Sequence, residues 1–150
     1  MPKQRPEYEV ANDFKEIARK LVEKYDEQFV GIDVDKIQAV VITNKERPDR
    51  SEKYWEMIPV KPPVSMDCKY ERYVIMYESD WDLMPEKNKY LLVAAVLTGI
   101  PVNDEGEAEE KVKPFDYKDY SVMARTFGVD YITKDNVPNI LKEDINFVNV

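Results

Sequence analysis

The chain contains no histidine. Imidazole is the commonest metal ligand and the usual general base near neutral pH. Its absence removes Ser-His and Cys-His catalysis, every zinc site that uses imidazole, and the helical His-Glu-x-x-His device. Cys68 stands alone, which excludes an internal disulfide and a thiolate zinc cluster and fits a reducing compartment. Glycine is scarce too. Gly31, Gly99, Gly106 and Gly128 are the only four, and none falls in a GxGxxG or GxxxxGK phosphate cradle. The longest strictly apolar run, Leu91 to Leu97, is far short of a membrane span. Met1 to Pro6 carries no apolar h-region, so no secretory leader is expected. These absences lead to the expectation of a cytoplasmic protein with no membrane association and no cofactor.

What is present fits one domain. The chain has 150 residues, 43% of them hydrophobic and 35% charged, a balance typical of a folded chain with one core. Its net charge of −8 argues against non-specific contact with nucleic acid or anionic membrane and allows a basic partner. Carboxylates are plentiful (Asp80, Asp82, Asp104, Glu105, Asp116, Asp119), but no spacing selects a catalytic pair. An EF-hand reading around Gly106 fails, because its first position would be Pro101 and its twelfth Val112.

The elements can be read in order. Residues 1–10 form a flexible arm, extended or frayed. Phe14, Ile17, Ala18, Leu21, Val22 and Tyr25 make one face of an amphipathic helix from about Asn12 to Asp26. Asn12 or Asp13 is its expected cap, with Glu16 completing a capping box. Ile37 to Thr43, Tyr54 to Val60 and Glu71 to Tyr77 read as three strands. The charged segment Asn44 to Ser51 is expected to join the first two as a hairpin, and Pro59 suggests an edge position. Glu78 to Asp82 reads as a turn, with Trp81 packing over the entrance of the next helix.

That helix, Pro85 to Thr98, is apolar on every face from Tyr90 onward and is expected to be enclosed. Pro85 suits its first position and Gly99 a left-handed residue past its end. An acidic loop, 102–114, follows. Asp116 then opens a C-terminal helix with a Tyr120, Met123, Ala124 and Phe127 stripe and a terminating Gly128. The tail, 129–150, shows no clear period. The expected fold is α+β: an N-terminal helix, a small and mostly antiparallel sheet of about three strands, a buried central helix and a C-terminal helix.

This order resembles the phage metallopeptidase family, small zincin-like proteins encoded by bacteriophages and prophages. The likeness runs through roughly residues 12–141 and is most specific in the second half. It is carried by Tyr77-Glu-Ser-Asp-Trp-Asp-Leu-Met-Pro85, by Lys111-Val-Lys-Pro-Phe-Asp116, by Thr126-Phe-Gly128 and by Val137-Pro-Asn-Ile-Leu141. The family's central helix carries His-Glu-Leu-x-His-Ile, which falls on Ala95-Val-Leu-Thr-Gly-Ile100. The first ligand position is then Ala95, the general-base position Val96 and the second ligand position Gly99. The third ligand position is Phe115, while the adjacent Asp is retained as Asp116.

Zinc hydrolysis needs about three protein ligands and a polarised water, and Ala, Gly and Phe supply none. The resemblance therefore implies a zincin-like pseudoenzyme of the bacterial host cytoplasm that binds a protein partner without cutting it. Two alternatives stand beside it. One is a hydrolase with a relocated carboxylate metal site at Asp104, Glu105 and Asp116. The other is an acidic decoy of a basic or DNA-binding host protein.

Overall fold

The computed structural model describes residues 7–43, 54–101 and 120–149. Within them the chain is α+β, with four helices and a mixed four-stranded sheet. The sheet consists of β1 (Glu7–Val10), β2 (Ile37–Thr43), β3 (Trp55–Pro59) and β4 (Arg72–Tyr77), in the spatial order β1-β2-β4-β3. The helices are α1 (Asn12–Lys24), α2 (Glu78–Leu83), α3 (Glu86–Thr98) and α4 (Ser121–Phe127).

The sheet departs from the sequence expectation in two ways. First, β2 and β3 are not neighbours, so no hairpin joins them. The most apolar strand, β4, lies between the two, parallel to β2 (Ile37 opposite Arg72) and antiparallel to β3 (Trp55 opposite Met76). Burial accounts for this. Val74 and Met76 are 0% and 1% exposed, and a strand that deeply covered gains most from a partner on both edges. Proline-ended β3 takes the outside, where Pro59's missing N–H leaves no gap in the ladder. Second, residues 7–10, assigned by sequence to the arm, form a fourth strand. β1 pairs antiparallel to β2 from Glu7–Thr43 to Val10–Val40, and all four of its residues are exposed.

The amphipathic face of α1 is as expected. Phe14, Ile17, Ala18 and Leu21 are buried, and the i, i+3, i+4, i+7 spacing turns them all inward. Its start differs. Ala11 occupies the cap position and no side chain caps the helix. Asp13 has a different partner: both its carboxylate oxygens lie 3.1 Å from the Trp81 indole nitrogen, which donates to them. Lys89 of α3 approaches the same carboxylate at 3.4 Å and lies 4.8 Å from the Trp81 ring centre. A buried indole N–H requires an acceptor, and that demand outweighs the capping box. The Trp81 segment is itself helical (α2) rather than a turn, and Trp81 is 2% exposed.

Helix α3 is enclosed. Every residue from Leu91 to Leu97 is at most 1% exposed. Pro85 is the cap rather than the first helical residue. Gly99 has φ −74°, an ordinary right-handed value, so the expected left-handed end is not formed there. Gly128 does take positive φ, +82°, after α4. Tyr120, Met123 and Phe127 of the α4 stripe are buried. Asp116 and the loop 102–114 lie outside the described residues.

The tail past Gly128 has no helix or strand in its described part, yet it packs. Tyr131, Val137 and Ile140 are buried, and Phe147 meets Tyr25, Phe29 and Phe127 edge-on at 5.3–5.8 Å. No helix among the described residues is long and apolar enough to cross a membrane.

Replacing Asp13 by Ala leaves the buried Trp81 N–H without an acceptor and should destabilise the fold by about 1–3 kcal/mol. Leu92→Ala, which opens space inside α3's enclosure, should cost about 2–5 kcal/mol. Urea denaturation followed by far-UV circular dichroism measures both. An unchanged midpoint for Asp13→Ala would show that the contact with Trp81 carries no weight.

Candidate functional site

Ala95, Val96 and Gly99, the positions that the resemblance aligns with the zinc motif, sit at the C-terminal end of α3. Ala95 and Gly99 are four residues apart, so they lie one turn above each other on one face. Ala95 and Val96 are fully buried, and Gly99 is buried as well. The Gly99 N–H closes the helix onto Ala95 and Val96 carbonyls at 3.2 and 3.0 Å.

The space a side chain at position 99 would enter is filled. A methyl group built on Gly99 would lie 2.5 Å from Tyr120 Oη, 3.0 Å from Met57 Cε and 3.2 Å from Tyr120 Cζ. Tyr120 is 1% exposed, precedes α4, and stacks at a tilt against Trp55 of β3 with ring centres 6.4 Å apart. Glycine is therefore required here for close approach, not for backbone angle. Two segments far apart in sequence, β3 and the start of α4, converge on the C-terminal end of α3. The side chains that meet Gly99 are a phenol and a thioether.

The residues present do not fit a zinc ion. Ala95 and Gly99 bring no donor atom, and the phenol of Tyr120 occupies the room a second ligand would need. Among the described residues no group of three or more His, Cys, Asp or Glu side chains is assembled to hold a metal. Phe115, Asp116, Asp104 and Glu105 lie outside the described residues, so neither the third degenerate position nor the carboxylate alternative is located.

Clefts open elsewhere among the described residues. One, of about 480 Å³, lies between α1 and the segment 31–35, with Arg19 and Asp35 on its wall. Arg19 donates to Asp35 at 2.6 Å. That hydrogen bond, and the guanidinium charge behind it, hold the Asp35 carboxyl below the usual carboxylate range. Another, of about 350 Å³, lies where α2 meets α3, against the tail. Its lining includes Asn88, a residue that sequence reasoning passed over. The available signal was a lone amide in the first turn of a helix that is otherwise apolar inward. Cys68 Sγ, in the segment before β4, lies 3.8 Å from the hydroxyl of Tyr73 on β4, and hydrogen bonding to Cys68 together with burial raises the pKa of that hydroxyl.

No protein-family model, curated protein or solved structure matches the chain.

Gly99→Ala should destabilise the protein by about 1–3 kcal/mol through overpacking, although the same change at an open site with this φ would stabilise it. In a Tyr120→Phe background, which removes the nearest atom, the cost should fall. Chemical denaturation of the two single variants and the double variant measures the coupling. Additive effects would mean that the two residues do not meet. Arg19→Gln should raise the Asp35 pKa toward its ordinary value. Because that pKa is depressed in the fold, its stabilising contribution is present above the unfolded value and is lost as pH falls through the folded one. A carbonyl-detected NMR titration of Asp35 reads the shift.

Proposed function

We propose that this chain is a non-catalytic, zincin-like protein of phage or prophage origin that works by binding a protein partner in the bacterial cytoplasm. The single observation that carries the reading is the packing of Tyr120 and Met57 onto Gly99. A helix face that holds a metal must keep polar ligands and an open coordination position for water. This face keeps neither.

The sheet supports a binding role. β3 ends the strand order, and among the described residues no strand pairs with its outer edge. Its Met57 is the residue that reaches Gly99, so an extended peptide added beside β3 would lie along the flank of the former catalytic face. Main-chain hydrogen bonding of this kind gives affinity without any reacting group. The −8 net charge favours a partner with basic character.

Metal dependence gives the test. The thermal midpoint of the purified protein should be the same with and without EDTA, and added zinc should neither raise it nor produce cleavage of unstructured peptides above a protein-free blank. A large EDTA-induced drop would overturn the reading and favour a metal site built from Asp104, Glu105 and Asp116. Once a partner is in hand, amide hydrogen exchange in β3 should slow on complex formation. Slowing confined to α1 and the segment 31–35 would place the interface elsewhere.

A further inference from the structure

We propose that the sheet face turned away from α3 is the interface of a reversible homodimer, with a second copy of this chain packed on it face to face. This surface lies outside the site at Gly99 and stands independently of the pseudoenzyme reading, which its failure would leave as it is.

The first observation is the alternation along the central strands. Ile37, Ala39, Val41 and Thr43 of β2 are buried, as are Arg72, Val74 and Met76 of β4, and the residues between them are half-buried. Successive side chains of a strand point to opposite faces. Met57, which reaches Gly99 of α3, is paired with Val74. The buried set therefore faces α3 and the intervening set faces away. A sheet with one face in water usually alternates apolar-in with polar-out. This sheet does not.

The second observation is what the register places on that face. Tyr8 lies opposite Ile42, and Ile42 opposite Tyr77. Val10 lies opposite Val40, Val40 opposite Ile75, and Ile75 opposite Glu56. Gln38 lies opposite Tyr73, and Tyr73 opposite Ile58. Of these ten residues, eight are apolar or aromatic and one is charged. None of the eight belongs to the core cluster or to the partly buried apolar residues packed against it. Tyr8, Val10 and Ile58 are 65%, 49% and 43% exposed.

Composition selects the occupant. Interfaces between different proteins are only about as apolar as the remaining surface, whereas homodimer interfaces are more so, with charge depleted at the core and tyrosine enriched. Three tyrosines, five aliphatic side chains and a single carboxylate match the second kind. No lysine or arginine stands among the ten to choose a partner by charge. A sheet face is well covered by another sheet face packed about 10 Å away. A two-fold axis running along the strands, between β2 and β4, lays β2 of each copy over β4 of the other. Val40 then meets Ile75, and Ile42 meets Tyr77. Strand β1 lies over β3, which puts Glu56 at the rim beside Val10 rather than against a second Glu56. Four strands about 4.8 Å apart and three rows about 7 Å apart give a footprint of roughly 400 Å² per copy, about half that of a standard interface. The dimer is therefore reversible, and each copy keeps its own core on the far side of the sheet.

Sedimentation velocity of the full chain, over a dilution series from roughly 1 mM to 1 μM, reads the association. The protein should pass from dimer to monomer within that range, and added salt should not dissociate the dimer, because no ion pair holds it. Ile75→Lys, at the centre of the face, should leave the chain monomeric at the highest concentration, with far-UV circular dichroism reporting the fold. Should that variant fail to fold, the double variant Tyr8→Lys, Ile58→Lys changes only exposed positions. It should weaken dimerisation by about tenfold or more while its urea midpoint stays near that of the parent chain. A monomer at every concentration overturns the proposal, whether another part of the chain or a different protein covers the face. A dimer that salt dissociates, or that persists undiminished in the folded variants, overturns it as well.

Discussion

A helix with no polar face has to be kept from water on every side, and the fold is arranged around that requirement. Helix α3 is the case in point: seven consecutive residues, Leu91 to Leu97, are essentially unexposed. One sheet face and one partner helix cannot cover a cylinder, so the cover comes from all parts of the chain. Helix α1 packs along it. Lys89 folds back over Trp81. Met57 closes one end from the sheet, and Tyr120 closes the same end from the start of α4. The hydrophobic effect is non-directional and sets only the demand for cover. Which segment covers which face follows from the polar contacts at the two ends.

The tail shows how those polar contacts work. Its described part has no ladder and no helix, so its carbonyls need other partners. Asn88 takes those of Tyr131 and Lys134. At the far end of α1, Lys24 takes Ile140 and Glu143 at 3.0 and 2.5 Å, and the Tyr25 hydroxyl bonds to the same two. A segment without regular structure is thus held by side chains projecting from two helices. Each such bond is worth about 1 kcal/mol net, but each also spares a carbonyl the larger cost of burial without a partner.

This division between apolar demand and polar selection explains what was legible in the sequence. The apolar patterns were readable: the α1 stripe, the three strands near their observed bounds, the enclosed α3 and the buried α4 stripe all follow from spacing alone. What spacing does not encode is pairing. β2 and β3 are consecutive strands, and the hairpin is the usual reading of such a pair; the parallel β2–β4 arrangement depends on which strand is most deeply buried, a comparison across the whole sheet. The four exposed residues of β1 carry no burial pattern and join the sheet through their backbone, by pairing with β2 and by the Thr43 hydroxyl's bond to the Glu7 carbonyl. Asp13 has the chemistry of a cap, and only the position of Trp81, 68 residues away, reveals that it serves the indole. At the candidate site, Ala95 and Val96 are buried as the sequence implied. The role of Gly99 as a contact surface for Tyr120 could not be read, because a glycine before a proline-containing turn has the same sequence signature as a terminator.

The two ends of α3 now make a physical contrast. Gly99 and Asn88 are 11 residues apart, about 16 Å along a helix rising 1.5 Å per residue. At the Gly99 end the groups present pack against one another, and the room is taken by the Tyr120 phenol. At the Asn88 end, the amide nitrogen holds two tail carbonyls, while its oxygen, closed to solvent, is left without a donor at a cost of about 1–3 kcal/mol to the fold. An apolar residue of similar shape would remove that oxygen but leave the Tyr131 and Lys134 carbonyls without their donor, so the nitrogen accounts for the amide. The polar contact of this helix with the tail thus lies at its entrance, one helix length from the end that Tyr120 and Met57 close.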